Sequence, residues 1–288
     1  MKTILITDSQ CDLPISFIEE YDIPFLGSIC NFKGLEIEDD LGKTLSYKEF
    51  YSSVRAGEMP TTHQINPYRY ETLFEKYVQK GNAVLYIGVS SALSGSLNSA
   101  RMAKEELEKR YPQADITVID SLSASLGQGL IVYYAQELLK NGHSKTEVID
   151  WVEDNKLKVN HWFTVDDLNH LRRGGRISNI SAFIGTLLSF KPILKVNNEG
   201  KLIPVDKVRG RNKAILTLFN LIKERIVKPE EQVIFISHGD CVEEAEKLKD
   251  LIANQIQVKG FIVNNIGPAV GTHAGPGTIA LFFLGEKR

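Results

Sequence analysis

The chain reads as an α/β protein of two domains, an N-terminal parallel sheet with a small β-hairpin excursion and a C-terminal mixed α/β unit. Three observations predict this. Short apolar runs alternate with helical patterns through the first half. Past residue 160 the texture changes to include an antiparallel hairpin. The 288 residues exceed the ~100–200 common for one domain.

The strand-like runs of the first half are Thr3–Thr7, Ala83–Val89 and Ile116–Asp120. Each is short, continuously apolar and followed by a polar or Gly-containing turn, as buried parallel strands are. Helical patterns fall at Pro14–Tyr21, Phe50–Arg55, Tyr68–Gln79, Leu97–Arg110, Ala124–Lys140 and Lys145–Asn155. Strand–helix–strand repetition implies right-handed crossovers, and ligands of such sheets collect beyond the carboxyl ends of the strands. Residues 25–40 interrupt the alternation with glycine, β-branched and aromatic residues around Asn31-Phe32-Lys33-Gly34, which predicts a hairpin. We place the domain boundary near residue 160, giving units 1–160 and 161–288.

In the second unit, His161–Val165 is strand-like and is followed by a short helix broken at Gly174-Gly175. A helix is expected over Ile180–Ser189. Ile193–Val196 and Leu202–Val208 flank an Asn-Gly-type turn at Asn197–Gly200, the signature of an antiparallel hairpin. Helix Asn212–Ile226, strand Gln232–Ser237, helix Val242–Asn254 and strand Gly260–Asn264 follow. Residues 266–278 form a Gly-rich cluster around one histidine.

Apolar residues make up 43% of the chain and charged residues 24%, globular values that argue against disorder. No apolar run approaches the ~20 residues of a membrane span, and the N-terminus lacks a signal-peptide pattern, so a cytoplasmic protein without stable membrane insertion is expected. Cys11, Cys30 and Cys241 are scattered, without metal-ligand spacing, and read as reduced thiols. Net charge is −2, which argues against a nucleic-acid surface. The charge is uneven: Lys156–Lys213 carries twelve Lys/Arg against four acids. Such a zone suits a phosphate or an acidic partner, and equally a solvated face.

The P-loop, HExxH, GxSxG and GxGxxG signatures are all missing. Asp8-Ser9 and Asp120-Ser121 follow strands and read as turn and helix-start devices, whose side-chain oxygens accept backbone N–H bonds. The hydroxyls are more informative. Thr61 and Thr62 lie in Pro60-Thr61-Thr62-His63-Gln64, read as a loop before a helix, and Ser94 lies in Ser90-Ser91-Ala92-Leu93-Ser94-Gly95-Ser96. Both stretches fall where a crevice is expected, and the serine loop is richer in hydroxyls than an N-cap requires. A helix N-terminus so furnished suits an anion, and carboxylate and phosphate both fit. His273 stands in Gly267–Gly277 with glycines on both sides that permit close backbone approach. Arg176 follows the Gly174-Gly175 break, where the plain reading is a helix end with basic residues near its dipole.

These clusters, in this order over the whole chain, resemble the DegV family. The family elements Thr-Asp-Ser, Thr-Ser-Gln-Pro, Ser-Ser-x-Leu-Ser-Gly-Thr, Asp-Ser, Gly-Arg-Ile, Lys-Pro-Ile-Leu and Gly-Pro-Val-Val-Gly-x-His-x-Gly-Pro-Gly have counterparts here. They are Thr7-Asp8-Ser9, Thr62-His63-Gln64-Ile65, Ser90–Ser96, Asp120-Ser121, Gly175-Arg176-Ile177, Lys191-Pro192-Ile193-Leu194 and Gly267–Gly277. His63 departs from the pattern, placing a titratable ring where the family has serine.

The resemblance implies a long-chain fatty acid in a tunnel between two domains. It further implies a lipid-binding subunit of bacterial fatty acid kinase, serving phospholipid metabolism without cofactor, metal or chemistry of its own. The kinase catalytic subunit would phosphorylate the bound carboxylate to an acyl-phosphate. By position, Thr62 and Ser94 match the hydroxyls that hold the carboxylate, with Thr61 and His273 close by. Arg176 and Arg209 match basic positions near the head group or partner surface. Candidate tunnel residues are Phe25, Phe32, Phe163, Leu187, Phe190 and Ile193. Two other readings compete: an enzyme acting on a small phosphorylated or carboxylated metabolite through Ser94 and His273, and a regulatory module working through the basic zone.

Overall fold

The computed structural model describes residues 2–177 and 189–288. Leu187 and nearly all of the helix expected over 180–189 lie outside the described residues. The first sheet is parallel with four strands in the order β2-β1-β6-β7. Its strands are β1 (Thr3–Asp8), β2 (Phe25–Leu26), β6 (Ala83–Gly88) and β7 (Ile116–Asp120). The order reverses between β1 and β6, so a crevice opens beyond the ends of these two strands.

The second sheet is mixed and has six strands in the order β10-β9-β8-β13-β11-β12. They are β8 (Val159–Thr164), β9 (Phe190–Val196), β10 (Leu202–Arg209), β11 (Val233–His238), β12 (Gly260–Asn265) and β13 (Ile279–Leu284). The β9–β10 hairpin turns at Asn197–Gly200 as expected, with Gly200 at φ 75°. Strand β13 was not expected. It is antiparallel to both β8 and β11 and so sits inside the sheet.

The excursion is a third sheet of order β4-β3-β5, formed by β3 (Ile29–Phe32), β4 (Leu35–Glu38) and β5 (Thr61–His63). The loop expected at residues 60–64 is corrected here: Cys30 pairs with Thr62, because the β3–β4 hairpin leaves one edge of β3 free for a third strand. A small core of Phe32, Phe50, Tyr51 and Val54 joins this sheet to α2 (Tyr47–Arg55). The Gly-rich cluster near the C-terminus, to which the sequence assigned no element, is helical over Pro268–Ala274.

The central layer is α5 (Leu126–Lys140), buried from Leu126 through Val132. Its apolar side chains join Leu5, Leu85 and Ile87 of the parallel sheet to Phe163, Phe235 and Phe282 of the mixed sheet in one core. Helices α3 (Pro67–Val78) and α4 (Ser96–Arg110) cover the far face of the parallel sheet. Helices α8 (Arg211–Arg225) and α9 (Val242–Ala253) cover the far face of the mixed sheet. Helices α1 (Ile15–Glu20) and α6 (Lys145–Asn155) flank α5. The remaining helices are α7 (Asn169–Arg173) and α10 (Pro268–Ala274). No described helix is long and apolar enough to cross a membrane.

Candidate functional site

A cavity opens beyond the ends of β1 and β6, where the strand order predicts one. It encloses about 780 Å³, counted with the open solvent at its mouth, and is lined by strands of the mixed sheet, by β5 and by segments that follow the strands of the parallel sheet. Val89, Leu93, Phe163, Leu171, Leu202 and Ile266 form much of its wall, and Arg176 is the one Lys, Arg, Asp or Glu among its described lining residues.

Its polar end is assembled from three segments. Strand β5 supplies Thr62, the loop before α4 supplies Ser94, and α10 supplies His273. The first two are stitched together: Ile65 N donates to Ser96 Oγ at 3.0 Å, and Ser94 Oγ donates to Ser96 Oγ at 3.0 Å. Gly95 between them permits the close approach, because a Cβ there would lie 1.8 Å from Gln64 Oε1. The turn at Gly200 docks on the same loop, its carbonyl accepting from Ser90 Oγ at 3.0 Å.

Helix α10 forms because proline opens it, where an N–H has no helical partner anyway, and Gly275 at φ 78° ends it. Two buried carboxylates hold its start. Asp12 Oδ1 accepts from Gly267 N at 2.8 Å, and Asp39 Oδ2 accepts from Ala269 N at 3.1 Å. Burial pushes both carboxyls up, Asp39 to about 6. Tyr51 adds a bond from its hydroxyl to Ile266 O at 2.8 Å.

So anchored, α10 sets His273 Nε2 2.8 Å from Thr62 Oγ1. Burial, and then the charge of Arg176, lower the His273 pKa to about 4, so the ring is neutral at pH 7. Its Nδ1 is buried without a partner. An orphaned donor costs more than an under-used acceptor, so the proton belongs on Nε2. In that tautomer the ring donates to Thr62, and the threonine's own proton is free to point into the cavity. The Ser94 hydroxyl, which donates to Ser96 here, can rotate its proton into the cavity. The arrangement presents two neutral donors to an anion, with Arg176 beside them. Arg176 is itself tied to carbonyls, through Nε to Leu93 O at 3.1 Å and Nη1 to Gly174 O at 2.5 Å. Among the described residues, no His, Cys, Asp and Glu cluster could hold a metal ion.

Of the residues singled out in the sequence, Thr62, Ser94, His273, Arg176 and Phe163 line this cavity. Thr61 lines an adjoining one. The other positions stand elsewhere. Phe32 is packed against Phe50 at 5.8 Å between ring centres. Phe25, in edge strand β2, packs on the central core. Ile193 faces α8 and α9, because strand alternation sends Leu194 inward beside Phe163 and Ile193 outward. Phe190 pairs with Arg209 at the open end of the β9–β10 hairpin, and Arg209 is exposed there, off the lining.

Gln10, Ser28, Ser125 and His161 also line the cavity and were not foreseen. Alternation would have found His161, two residues before Phe163 on the same face of β8. Burial lowers its pKa to about 3, and its Nδ1 lies 3.3 Å from Ser123 Oγ. Gly174 was read as a helix break. Its further role is to leave room for His273, since a Cβ there would lie 2.1 Å from Nδ1.

The chain is similar over its full length to known proteins. A DegV domain-containing protein of Clostridium perfringens is 48% identical, covering 100% of this chain and 99% of that one. The crystal structure of DegV, a fatty acid binding protein from Bacillus subtilis, superposes with a TM-score of 0.86 at 33% identity, covering 99% and 100% of the two chains. A DegV family protein from Thermus thermophilus, solved in a study of its fatty acid binding, gives a TM-score of 0.88 at 29% identity, covering 99% and 100%. A family model described as "Uncharacterised protein, DegV family" matches residues 2–286, and the chain belongs to the DegV family.

Proposed function

We propose that the protein binds one long-chain fatty acid, its tail in the cavity between the units 1–160 and 161–288 and its carboxylate at Thr62 and Ser94. The observation that carries this reading is the lining: a mostly apolar wall that ends in neutral hydroxyls, with no lysine or acid among its described residues. Relatives solved as fatty-acid-binding proteins support it. Each buried methylene contributes ~0.8 kcal/mol, so a sixteen-carbon chain yields ~11 kcal/mol gross, against association costs of ~4–15 kcal/mol. The tail therefore supplies the affinity, and the head group can be held lightly.

Light holding fits presentation of the carboxylate to a partner kinase, which would convert it to an acyl-phosphate. A buried lysine salt bridge would instead lower the nucleophilicity of the carboxylate and withdraw it. On this reading the chain does no chemistry alone. The competing reading, an enzyme using Ser94 and His273, needs a base on the serine, yet Ser94 bonds Ser96 while His273 bonds Thr62. Organic extraction of the purified protein followed by mass spectrometry tests the proposal. It predicts about one fatty acid per chain, and acyl-phosphate formation only when a fatty acid kinase and nucleotide are added. No lipid recovered and none taken up, or turnover without a kinase, overturns it.

A further inference from the structure

The cavity continues past its polar end along strands β8 and β13, where Thr278, Ala280, Phe163 and His161 line it. Register fixes their order. Phe163 is opposite Ala280, and His161 is opposite Phe282, deeper along β13 and farther from α10. Two strand residues separate Phe163 from His161, a step of about 7 Å. An acyl tail anchored at Thr62 and Ser94 therefore meets the His161 ring in its far part.

His161 is 5% exposed, a polar ring in a mostly apolar wall. Its Nδ1 lies 3.3 Å from Ser123 Oγ, and among the described residues the hydroxyl of this buried serine has no other partner. A buried hydroxyl proton without an acceptor is costly, so Ser123 donates and Nδ1 accepts. The ring proton is then on Nε2. Burial, and then the charge of Arg288, lower the His161 pKa to about 3, so the ring carries that single proton at pH 7. The Arg288 guanidinium is itself occupied by the carbonyls of Val159, Leu122, Asn197 and Lys156. Among the described residues Nε2 has no hydrogen-bond partner, and it is not sealed in protein, so its N–H opens on the cavity. Other polar groups of the wall are engaged: Gln10 Nε2 donates to Ser28 Oγ at 2.5 Å, and Ser125 Oγ donates to Asp12 Oδ2 at 2.5 Å. Plain hydrocarbon packed on the Nε2–H strips this donor of water and gives it nothing in return. An oxygen on the chain at that depth would accept from it.

We propose that His161 is a specificity-determining residue for acyl chains that carry a hydroxyl far from the carboxylate, its Nε2–H donating to that oxygen. The proposal rests on the fatty-acid reading above and narrows the class of chain that the cavity favours. A hydroxyl moved from water into an apolar cavity loses its bonds to water, so a wall without a donor selects against hydroxylated chains. Here the imidazole offsets that loss where the hydroxyl reaches the ring. The preference therefore depends on hydroxyl position, which general tolerance by a wide or wet cavity does not.

The test is calorimetric titration of wild type, His161→Phe and His161→Gln with stearic acid and with a series of stearic acids hydroxylated at one carbon in turn from C8 to C16. Wild-type affinity is expected to peak at one hydroxyl position, where it matches or exceeds that for stearic acid. At that position His161→Phe should weaken the hydroxylated acid about tenfold, the worth of one buried hydrogen bond, and leave stearic acid within about threefold. His161→Gln keeps an N–H on the side chain and should recover part of the loss. An affinity that does not vary with hydroxyl position, or equal weakening of hydroxylated and plain acids by His161→Phe, overturns the assignment. The wild-type series decides the question even where a variant fails to fold. Failure of stearic acid to bind wild type would instead overturn the underlying function.

Discussion

Replacing Thr62 with valine keeps the branched shape of the side chain and removes only the hydroxyl that His273 Nε2 meets at 2.8 Å. Because Nδ1 of the same ring already lacks a partner, the variant leaves a buried imidazole with none. An orphaned buried donor costs ~1–3 kcal/mol, so the ligand-free protein should be destabilised by about that much. The bound carboxylate loses one charge-assisted bond, worth ~1.5–3 kcal/mol. Part of that is recovered, since the freed Nε2–H can donate to the carboxylate itself. Fatty acid affinity should therefore fall about tenfold, the lower end of that range. Adding His273→Phe removes the substitute donor and should bring the loss nearer 100-fold. Calorimetric titration of wild type, both single variants and the double variant measures the coupling directly. Thr62→Val affinity within twofold of wild type, with additive single effects, would refute a carboxylate held at this threonine.

Other consequences are equally open to measurement. Gly174→Ala, at a backbone angle any residue accepts, drives a Cβ to 2.1 Å from His273 Nδ1. It should displace the ring and weaken binding as Thr62→Val does, and full affinity would place His273 outside the head-group site. Thr62→Ala combined with Ser94→Ala should lose kinase-dependent phosphorylation more than it loses lipid, and unchanged turnover contradicts the hydroxyl assignment. His161 is held near pKa 3 against 6.5 in a solvated ring. As pH falls from 6.5 the unfolded chain gains a proton there that the folded chain refuses, so stability is lost. Between pH 7 and pH 4, His161→Phe should lose less stability than wild type by on the order of 3 kcal/mol in denaturant titrations. Parallel profiles would show that the ring titrates normally.

The parallel sheet and most helices were legible because their signals are local. Lys145–Asn155 and Ile116–Asp120 have the bounds their periodicity and flanking residues suggest. Strand β5 was not legible, because Thr61–His63 is extended only where the edge of β3 receives it. The run Ile279–Leu284 was visible as apolar, but its place between β8 and β11 depends on partners more than forty residues away in the chain. Helix α10 carried a usable signal in Pro268 and Gly275 that the glycine content obscured.

At the site, the hydroxyl and histidine positions stood out by residue type, and the structure brings Thr62, Ser94, His273 and Arg176 to one cavity. Phe163 followed, but Phe25, Phe32 and Phe190 did not, since a phenylalanine serves equally in any core. Which face of a strand meets the void is decided by register, as Ile193 and Leu194 illustrate.

Diffraction from crystals of the protein purified without added lipid bears most directly on the central claim. The account predicts one continuous acyl chain, its carboxylate within hydrogen-bonding reach of Thr62 and Ser94 and its tail running past Phe163. A cavity holding only solvent after fatty acid is supplied, or a chain whose carboxylate lies away from those hydroxyls, would contradict it.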